Sequence, residues 1–205
     1  MKQGSDEWFQ ARLGRVTASR IVDVLAKIKS GEAATRASYR AELVAERLTG
    51  KTQEGFTTAQ MRWGTESEPL ARSAYEADTG LLVTEVGLII HPVISMAGAS
   101  PDGVVSNTGL IECKCPDTKT HIETILSDAA PPKYLPQMQW QMACTGREWV
   151  DFVSFDPRMP MAQQLFIKRV ERDDKYIRET LEPEVIRFLE EVEKTVEQLL
   201  NWRNK

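Results

Sequence analysis

Residues 100–116 read Ser-Pro-Asp-Gly-Val-Val-Ser-Asn-Thr-Gly-Leu-Ile-Glu-Cys-Lys-Cys-Pro, which places Asp102, Glu112 and Lys114 in the order Asp, nine residues, Glu, one residue, Lys. The stretch lays onto a β-hairpin. Val104-Val105 and Leu110-Ile111 are apolar, strand-like runs, and Ser106-Asn107-Thr108-Gly109 between them is turn chemistry. Side chains alternate along a strand, so Glu112 and Lys114 share one face while Ile111, Cys113 and Cys115 take the other. Two carboxylates and an ammonium then converge at the end of a buried sheet. Such a cluster can hold Mg²⁺ through oxygen ligands and set a lysine beside a metal-bound water. Asp, Glu and Lys are common residues, and the plain alternative is a solvated strand edge with a Glu/Lys pair. The setting favours chemistry: Ser-Pro-Asp-Gly is a rigid turn that fixes Asp102, and the Glu-x-Lys lies in an apolar strand rather than on a polar helix. The pattern points to a metal-dependent nuclease.

The bulk numbers suit that reading. At 205 residues the chain is expected to be a single domain with a proper core, and its apolar content of 41% and charged content of 27% are ordinary for a globular protein. No apolar run approaches the roughly 20 residues that span a bilayer. The N-terminus, MKQGSDEWF, lacks the apolar core of a signal peptide, so a cytoplasmic protein is expected. Three cysteines then read as reduced thiols. The net charge of −4 argues against a general polyanion binder, but the charge is uneven: residues 1–63 carry eleven Lys/Arg against seven Asp/Glu, and residues 171–200 five against ten. A basic N-terminal third suits a protein that meets phosphate on one face.

Ser5 reads as the cap of a first helix closed by Gly14. A second helix is expected from Thr17-Ala18-Ser19, with Ile21, Val22, Val24, Leu25 and Ile28 at helical spacing. A third runs from about Thr35 to Leu48, ending at Gly50. Thr57 to Asp78 reads as helical with an interruption around Gly64. The period then changes, and Leu82–Val86, Leu88–His91, Ile94–Ala97 and the hairpin are strand-like. Helices return at Lys119–Leu126 and Leu135–Thr145, with Pro136 in a first turn where it is tolerated. Trp149–Phe155 and Gln164–Val170 form a further strand pair. Asp173 to Trp202 reads as one amphipathic helix, with Val185, Phe188, Leu189, Val192, Val196, Leu199 and Leu200 on a stripe packed on its own domain in preference to a partner. The order gives an α/β (α+β) domain with a mixed central sheet flanked by helices: a helical N-terminal region over residues 1–80, a catalytic sheet core over 81–170 and a C-terminal helix over 171–205.

With the Asp-Glu-Lys trio located, four segments carry a resemblance to the phage lambda-type exonucleases, the YqaJ-like alkaline exonucleases of the PD-(D/E)XK nuclease superfamily. They are Trp8-Phe9-Gln10-Ala11-Arg12-Leu13-Gly14 running into Val16-Thr17-Ala18-Ser19; Trp63-Gly64-Thr65-Glu66-Ser67-Glu68; the residue 100–116 run; and Tyr134-Leu135-Pro136-Gln137-Met138-Gln139. Phe155-Asp156-Pro157-Arg158-Met159 resembles the family's C-terminal region. The resemblance implies a restriction-endonuclease-like fold and a processive 5′→3′ exonuclease that degrades one strand of double-stranded DNA from its end. It further implies a 3′ single-stranded tail passed to a phage single-strand annealing protein, and a ring-shaped homotrimer.

In that frame Asp102 and Glu112 are the candidate ligands of two Mg²⁺ ions about 4 Å apart, Mn²⁺ being a substitute, with the main-chain carbonyl of Cys113 assisting. Lys114 would orient or deprotonate the attacking water, its pKa depressed by metal and burial. Glu68 matches the acid on the helix beside the site, with Glu66 as its competitor. Arg12, Ser19 and Gln137 match positions that hold the terminal 5′-phosphate, and their donors fit phosphate. Tyr134 and Gln139 are assigned to positioning the site. Met61 sits where the family carries an apolar wedge, with core packing the competing role, and Lys29 near where it carries a basic residue for the groove. Cys113, Cys115 and Cys144 with His91 and His121 do not form a zinc pattern, and four-cysteine iron–sulfur ligation lacks a cysteine. The competing functions are a site-specific endonuclease on the same fold and a non-catalytic DNA-binding or annealing protein. The first lacks a visible element for reading base edges, and the second is opposed by the intact trio.

Overall fold

Helix α1 (Asp6–Arg12) begins where the sequence places it: the Ser5 hydroxyl accepts from the Trp8 N–H at 3.3 Å. Gly14 follows at φ +66°, its N–H donating to Glu46 at 2.7 Å and its carbonyl accepting from Arg47 at 3.0 Å. A Cβ there would meet the Arg47 side chain, so the close approach as well as the φ calls for glycine. The computed structural model describes residues 1–52 and 58–204.

The expected second helix is mostly not one. Val16–Thr17 is strand β1, Ala18–Arg20 a 3₁₀ turn and Ile21–Val24 a single helical turn, α2. The Val16 N–H donates to Met96 at 2.9 Å and the Thr17 N–H to the Tyr39 hydroxyl at 3.1 Å, so tertiary pairing claims donors that a helix would need. Ile28 lies beyond the turn and is exposed. Helix α3 (Ala34–Thr49) ends on Gly50 at φ +65°. Helix α4 (Ala59–Thr79) runs without the expected interruption through Gly64 and even past Pro69. A helical glycine costs only about 1 kcal/mol, which the buried face of Ser67, Ala71 and Tyr75 outweighs. Its expected first residue, Thr57, lies outside the described residues.

Five strands form the main sheet in the order β2 (Val83–Thr84), β5 (Gly103–Val105), β6 (Gly109–Lys114), β7 (Trp149–Phe155), β8 (Leu165–Glu171). β6 and β7 are parallel and the other neighbours antiparallel, so the sheet is mixed as expected. The β6–β7 crossover carries α5 (Thr118–Ser127) and α6 (Leu135–Thr145). Gly109 opposes Trp149 so closely that a Cβ would overlap the indole. A smaller sheet has the order β1, β4 (Ala97–Ala99), β3 (Ile89–Ile90), with β4 parallel to β1 and antiparallel to β3. The strand expected over Ile94–Ala97 is displaced because the His91 ring takes the Val93 and Ile94 N–H groups at 3.3 and 3.1 Å, turning the chain there.

The C-terminal segment is helical but not uniform: α7 (Asp174–Tyr176), a π turn at Ile177–Leu181, then α8 (Glu182–Leu200). Pro183 lacks the N–H that would close an ordinary turn, and the backbone widens just ahead of it. Val185, Phe188, Val192 and Val196 are buried against the first core layer, with Phe188 stacked 5.5 Å from Tyr39 of α3, whereas Leu199 and Leu200 at the end of the predicted stripe are exposed.

His91 gives this layer a pH dependence. Its ring is buried, stacks 5.0 Å from Trp140 and places Nε2 3.4 Å from Glu182. Burial pushes its pKa below the ordinary value, with Glu182 opposing. A histidine held neutral by folding adds stability that is present above its unfolded pKa of about 6.5 and lost as the pH falls through the folded value. The melting temperature is therefore expected to drop between pH 7 and pH 5 less steeply in His91→Asn than in wild type. Equal slopes in the two proteins would remove His91 from the explanation.

Candidate active site

The hairpin β5–β6 brings the trio together. Asp102 stands in the turn before β5, and its Oδ2 accepts the Cys113 N–H of β6 at 2.7 Å. Glu112 is almost fully buried in the middle of that strand, and both of its oxygens are occupied. Oε1 accepts from Lys114 Nζ and from Gln137 Nε2, each at 2.5 Å, and Oε2 accepts from Gln141 Nε2 at 2.5 Å. From α4, Glu68 joins them, ion-paired to Arg72, which also reaches Glu85 at 3.1 Å. Glu68 lines a cavity of about 410 Å³ with Gly64, Asp102, Lys114, Cys115 and Tyr134, whereas its competitor Glu66 is exposed.

The electrostatics are those of a crowded anion site. Burial pushes the Asp102 carboxyl well above the carboxylate range, and the charges of Glu112 and Glu68 push it further while Lys114 opposes them. Burial also raises Glu68 against the pull of Arg72. For Lys114, burial alone would depress the ammonium, but Glu112 and Asp102 outweigh it and hold its pKa above the ordinary value. In the metal-free protein the two carboxylates therefore outweigh the depression that burial brings, and Lys114 is held as a donor to Glu112. The Tyr134 ring lies 5.0 Å from its Nζ and stacks on Phe152 at 5.7 Å, which places Tyr134 at the site as expected.

Gln139 is not at the site. Its amide donates to the Glu171 carbonyl and accepts from the Asp173 N–H, both at 2.8 Å, tying α6 to the end of β8. The expected phosphate trio is divided. Arg12 and Ser19 line a separate cavity of about 250 Å³ with Trp8, Arg15, Thr17 and Arg20, while Gln137 turns onto Glu112. The Arg12 guanidinium lies 4.2 Å over the Trp8 ring and 3.4 Å from Thr17 Oγ1, and burial lowers its pKa. At the edge of this cavity Trp8 Nε1 donates to Ser100 Oγ at 2.9 Å, in the turn that carries Asp102. Lys29 is exposed on the loop after α2, and Met61 belongs to α4, its side chain outside what is described.

Asp156 braces the end of β6. Burial would raise its carboxyl, but hydrogen bonds from Arg158 and Thr118 pull it down to about 2, and Arg158 also donates to the Pro116 carbonyl at 3.1 Å. Cys113 packs in the core as expected, and both it and Cys115 contribute to the lining of the carboxylate cavity, the Cys115 thiol pushed up to about 12 by burial. Residues missed by the sequence reading are Arg72, Arg20 and the Gln141 contact. Glu68 to Arg72 is an i,i+4 pair, a spacing that could have exposed the first.

Among the described residues, no three or more His, Cys, Asp and Glu side chains are drawn into ion-binding geometry. The donor chemistry nevertheless fits a hard dication. The donors are oxygens, and mutual repulsion with burial loads Asp102 and Glu68 in the way that a cation would relieve. A buried Glu flanked by half-buried Asp and Lys on the hairpin of a mixed sheet, with a glutamate from the adjoining helix, defines a nuclease-type hydrolytic site.

The sequence profile of the YqaJ-like viral recombinase domain matches residues 7–148, and the chain belongs to that family. It is similar to the alkaline exonuclease LHK-Exo from Laribacter hongkongensis, at 54% identity over 98% of each chain with a TM-score of 0.89. It is likewise similar to LHK-Exo in complex with dAMP, at 56% identity over 98% of each chain with a TM-score of 0.90. A phage related exonuclease from Haemophilus somnus 129PT shares the fold at 18% identity, over 92% of this chain and 96% of that one, with a TM-score of 0.69. No curated protein matches the chain. The expected α/β nuclease fold is therefore the observed one.

Proposed function

We infer that this protein is a DNA exonuclease of viral recombination that removes 5′-mononucleotides from one strand of linear duplex. The observation that carries the reading is the convergence of Asp102, Lys114 and Glu68 on one cavity, with Glu112 buried behind it and bonded to Lys114. Asp102, Glu112 and the Cys113 carbonyl would hold two Mg²⁺ ions, or Mn²⁺ in their place, with Glu68 close by. The bound ions supply Lewis-acid activation of water and stabilisation of the departing 3′-oxygen.

The chain's own residues do the rest. Lys114, kept as ammonium by its carboxylate neighbours and set against the Tyr134 ring, donates to the attacking water or a phosphoryl oxygen as charge builds there. The water oxygen bonds to phosphorus as the P–O3′ bond breaks, the water's proton passing to solvent and the departing 3′-oxygen taking a proton from solvent. Glu112 would hold a cation through Oε1, the oxygen that Lys114 and Gln137 share here.

Direction follows from the Arg12–Ser19 cavity, which we assign to the 5′-phosphate. Strand removal then runs 5′→3′ and leaves 3′ tails for an annealing partner. A homotrimeric ring, one nuclease domain over residues 1–205 and action in the host cytoplasm belong to the same proposal. No helix among the described residues is long and apolar enough to cross a membrane.

With Mg²⁺, nucleotide release is expected from linear duplex and none from a covalently closed circle. Nicking of the circle would favour the endonuclease reading instead. Arg12→Ala should lower the rate on 5′-phosphorylated ends about 10–100-fold, the worth of one lost charged hydrogen bond, and leave 5′-hydroxyl ends nearly unchanged. Equal losses on both kinds of end would take the phosphate away from Arg12.

A further inference from the structure

Gln141 sits on α6 facing β6, and the nuclease reading gives it no task. Its side chain is fully buried, and its Nε2 donates to Glu112 Oε2 at 2.5 Å. Its own carbonyl oxygen is buried without a hydrogen-bond partner. The amide orientation is set by charge, since the reverse flip would point that oxygen at a carboxylate. A buried amide with one unsatisfied atom is a standing cost. An apolar side chain of the same length would remove that cost only by leaving Glu112 Oε2 without a donor. The bond to Glu112 is what the residue provides in return.

The two oxygens of Glu112 differ. Oε1 takes donors from Lys114 and Gln137, both half-buried at the edge of the site. Oε2 takes its donor from a side chain that is locked in the core. We propose that Gln141 is the positioning residue of Glu112: it holds Oε2 against the helix in every state and leaves Oε1 as the oxygen offered to the cation. Orientation of a ligating carboxylate by a fixed donor is a common source of metal affinity, worth about 10–100-fold when lost. The inference rests on the proposed metal role of Glu112.

The test is Mn²⁺ binding to the DNA-free protein by titration calorimetry, with melting temperature and the Mn²⁺ dependence of cleavage recorded alongside. Gln141→Met removes the donor and keeps the volume. It should weaken Mn²⁺ binding about tenfold, raise the half-saturating Mn²⁺ for cleavage by a similar factor and lower the melting temperature of the metal-free protein, because Glu112 Oε2 loses its buried donor. Gln141→Asn, which keeps an amide but retracts it by one methylene, should weaken binding in the same direction and serves if the Met variant does not fold. Wild-type affinity in these variants, with metal-dependent cleavage intact in the wild type, overturns the role of Gln141 alone. A wild-type protein that binds no Mn²⁺ overturns the metal reading and this inference with it.

Discussion

Lys114→Ala is expected to lower Mg²⁺-dependent hydrolysis of duplex DNA by about 10³-fold, within the range for loss of a positioned proton-donating group. The lysine is the one cation hydrogen-bonded to Glu112 among the described residues, and its charge is secured by Glu112 and Asp102 rather than by solvent. The substitution leaves Glu112 its Gln137 and Gln141 donors, so the strand that carries it stays in place. Single-turnover release from an end-labelled duplex, with circular dichroism to confirm folding, measures the effect. A folded variant within tenfold of wild type would mean that the ammonium does not act on the reacting phosphate.

Asp102→Asn should abolish cleavage to a similar degree and yet stabilise the metal-free protein. Asp102 is buried beside Glu112 and Glu68, so its charge is costly, while an asparagine oxygen still accepts the Cys113 N–H. Relief of strain at a functional site contributes about 1–2 kcal/mol, or roughly 2–8 °C in melting temperature for a chain of this length. The sign with pH is fixed by the direction of the shift. A carboxyl whose folded pKa is raised costs stability as the pH climbs above its unfolded value of about 3.9. The advantage of the variant should therefore vanish in acid and grow as the pH rises from about 3.9 toward the folded pKa. Added Mg²⁺ should raise the melting temperature of wild type and not of the variant. A variant less stable than wild type at pH 7 without metal would contradict the crowded-anion account.

These expectations rest on features of unequal visibility in the sequence. The hairpin was legible because its turn chemistry, alternation and rigid Ser-Pro-Asp-Gly all agree, and the caps at Ser5 and Gly50 because capping is local. The break after Thr17 was not, since the apolar spacing of residues 21–28 suits a helix and only pairing with residues 96–98, far along the chain, overrides it. The continuity of α4 through Gly64 was hidden for the same reason: the face that stabilises it belongs to the sheet. Within the site, the acids and the lysine could be read from their order. Gln137, Gln139 and Gln141 required geometry. On a helix, 137 and 141 share a face and 139 points away, and the structure divides them in that way.

The central claim is a metal-dependent exonuclease that starts at a 5′-phosphate. The most direct measurement is digestion, with Mg²⁺, of a linear duplex that carries a 5′-phosphate at one end and a 5′-hydroxyl at the other. The account predicts loss of the phosphorylated strand from its 5′ end, one nucleotide at a time, with the opposite strand retained as a 3′ tail. Internal fragments, or erosion of both strands from their 3′ ends, would contradict it.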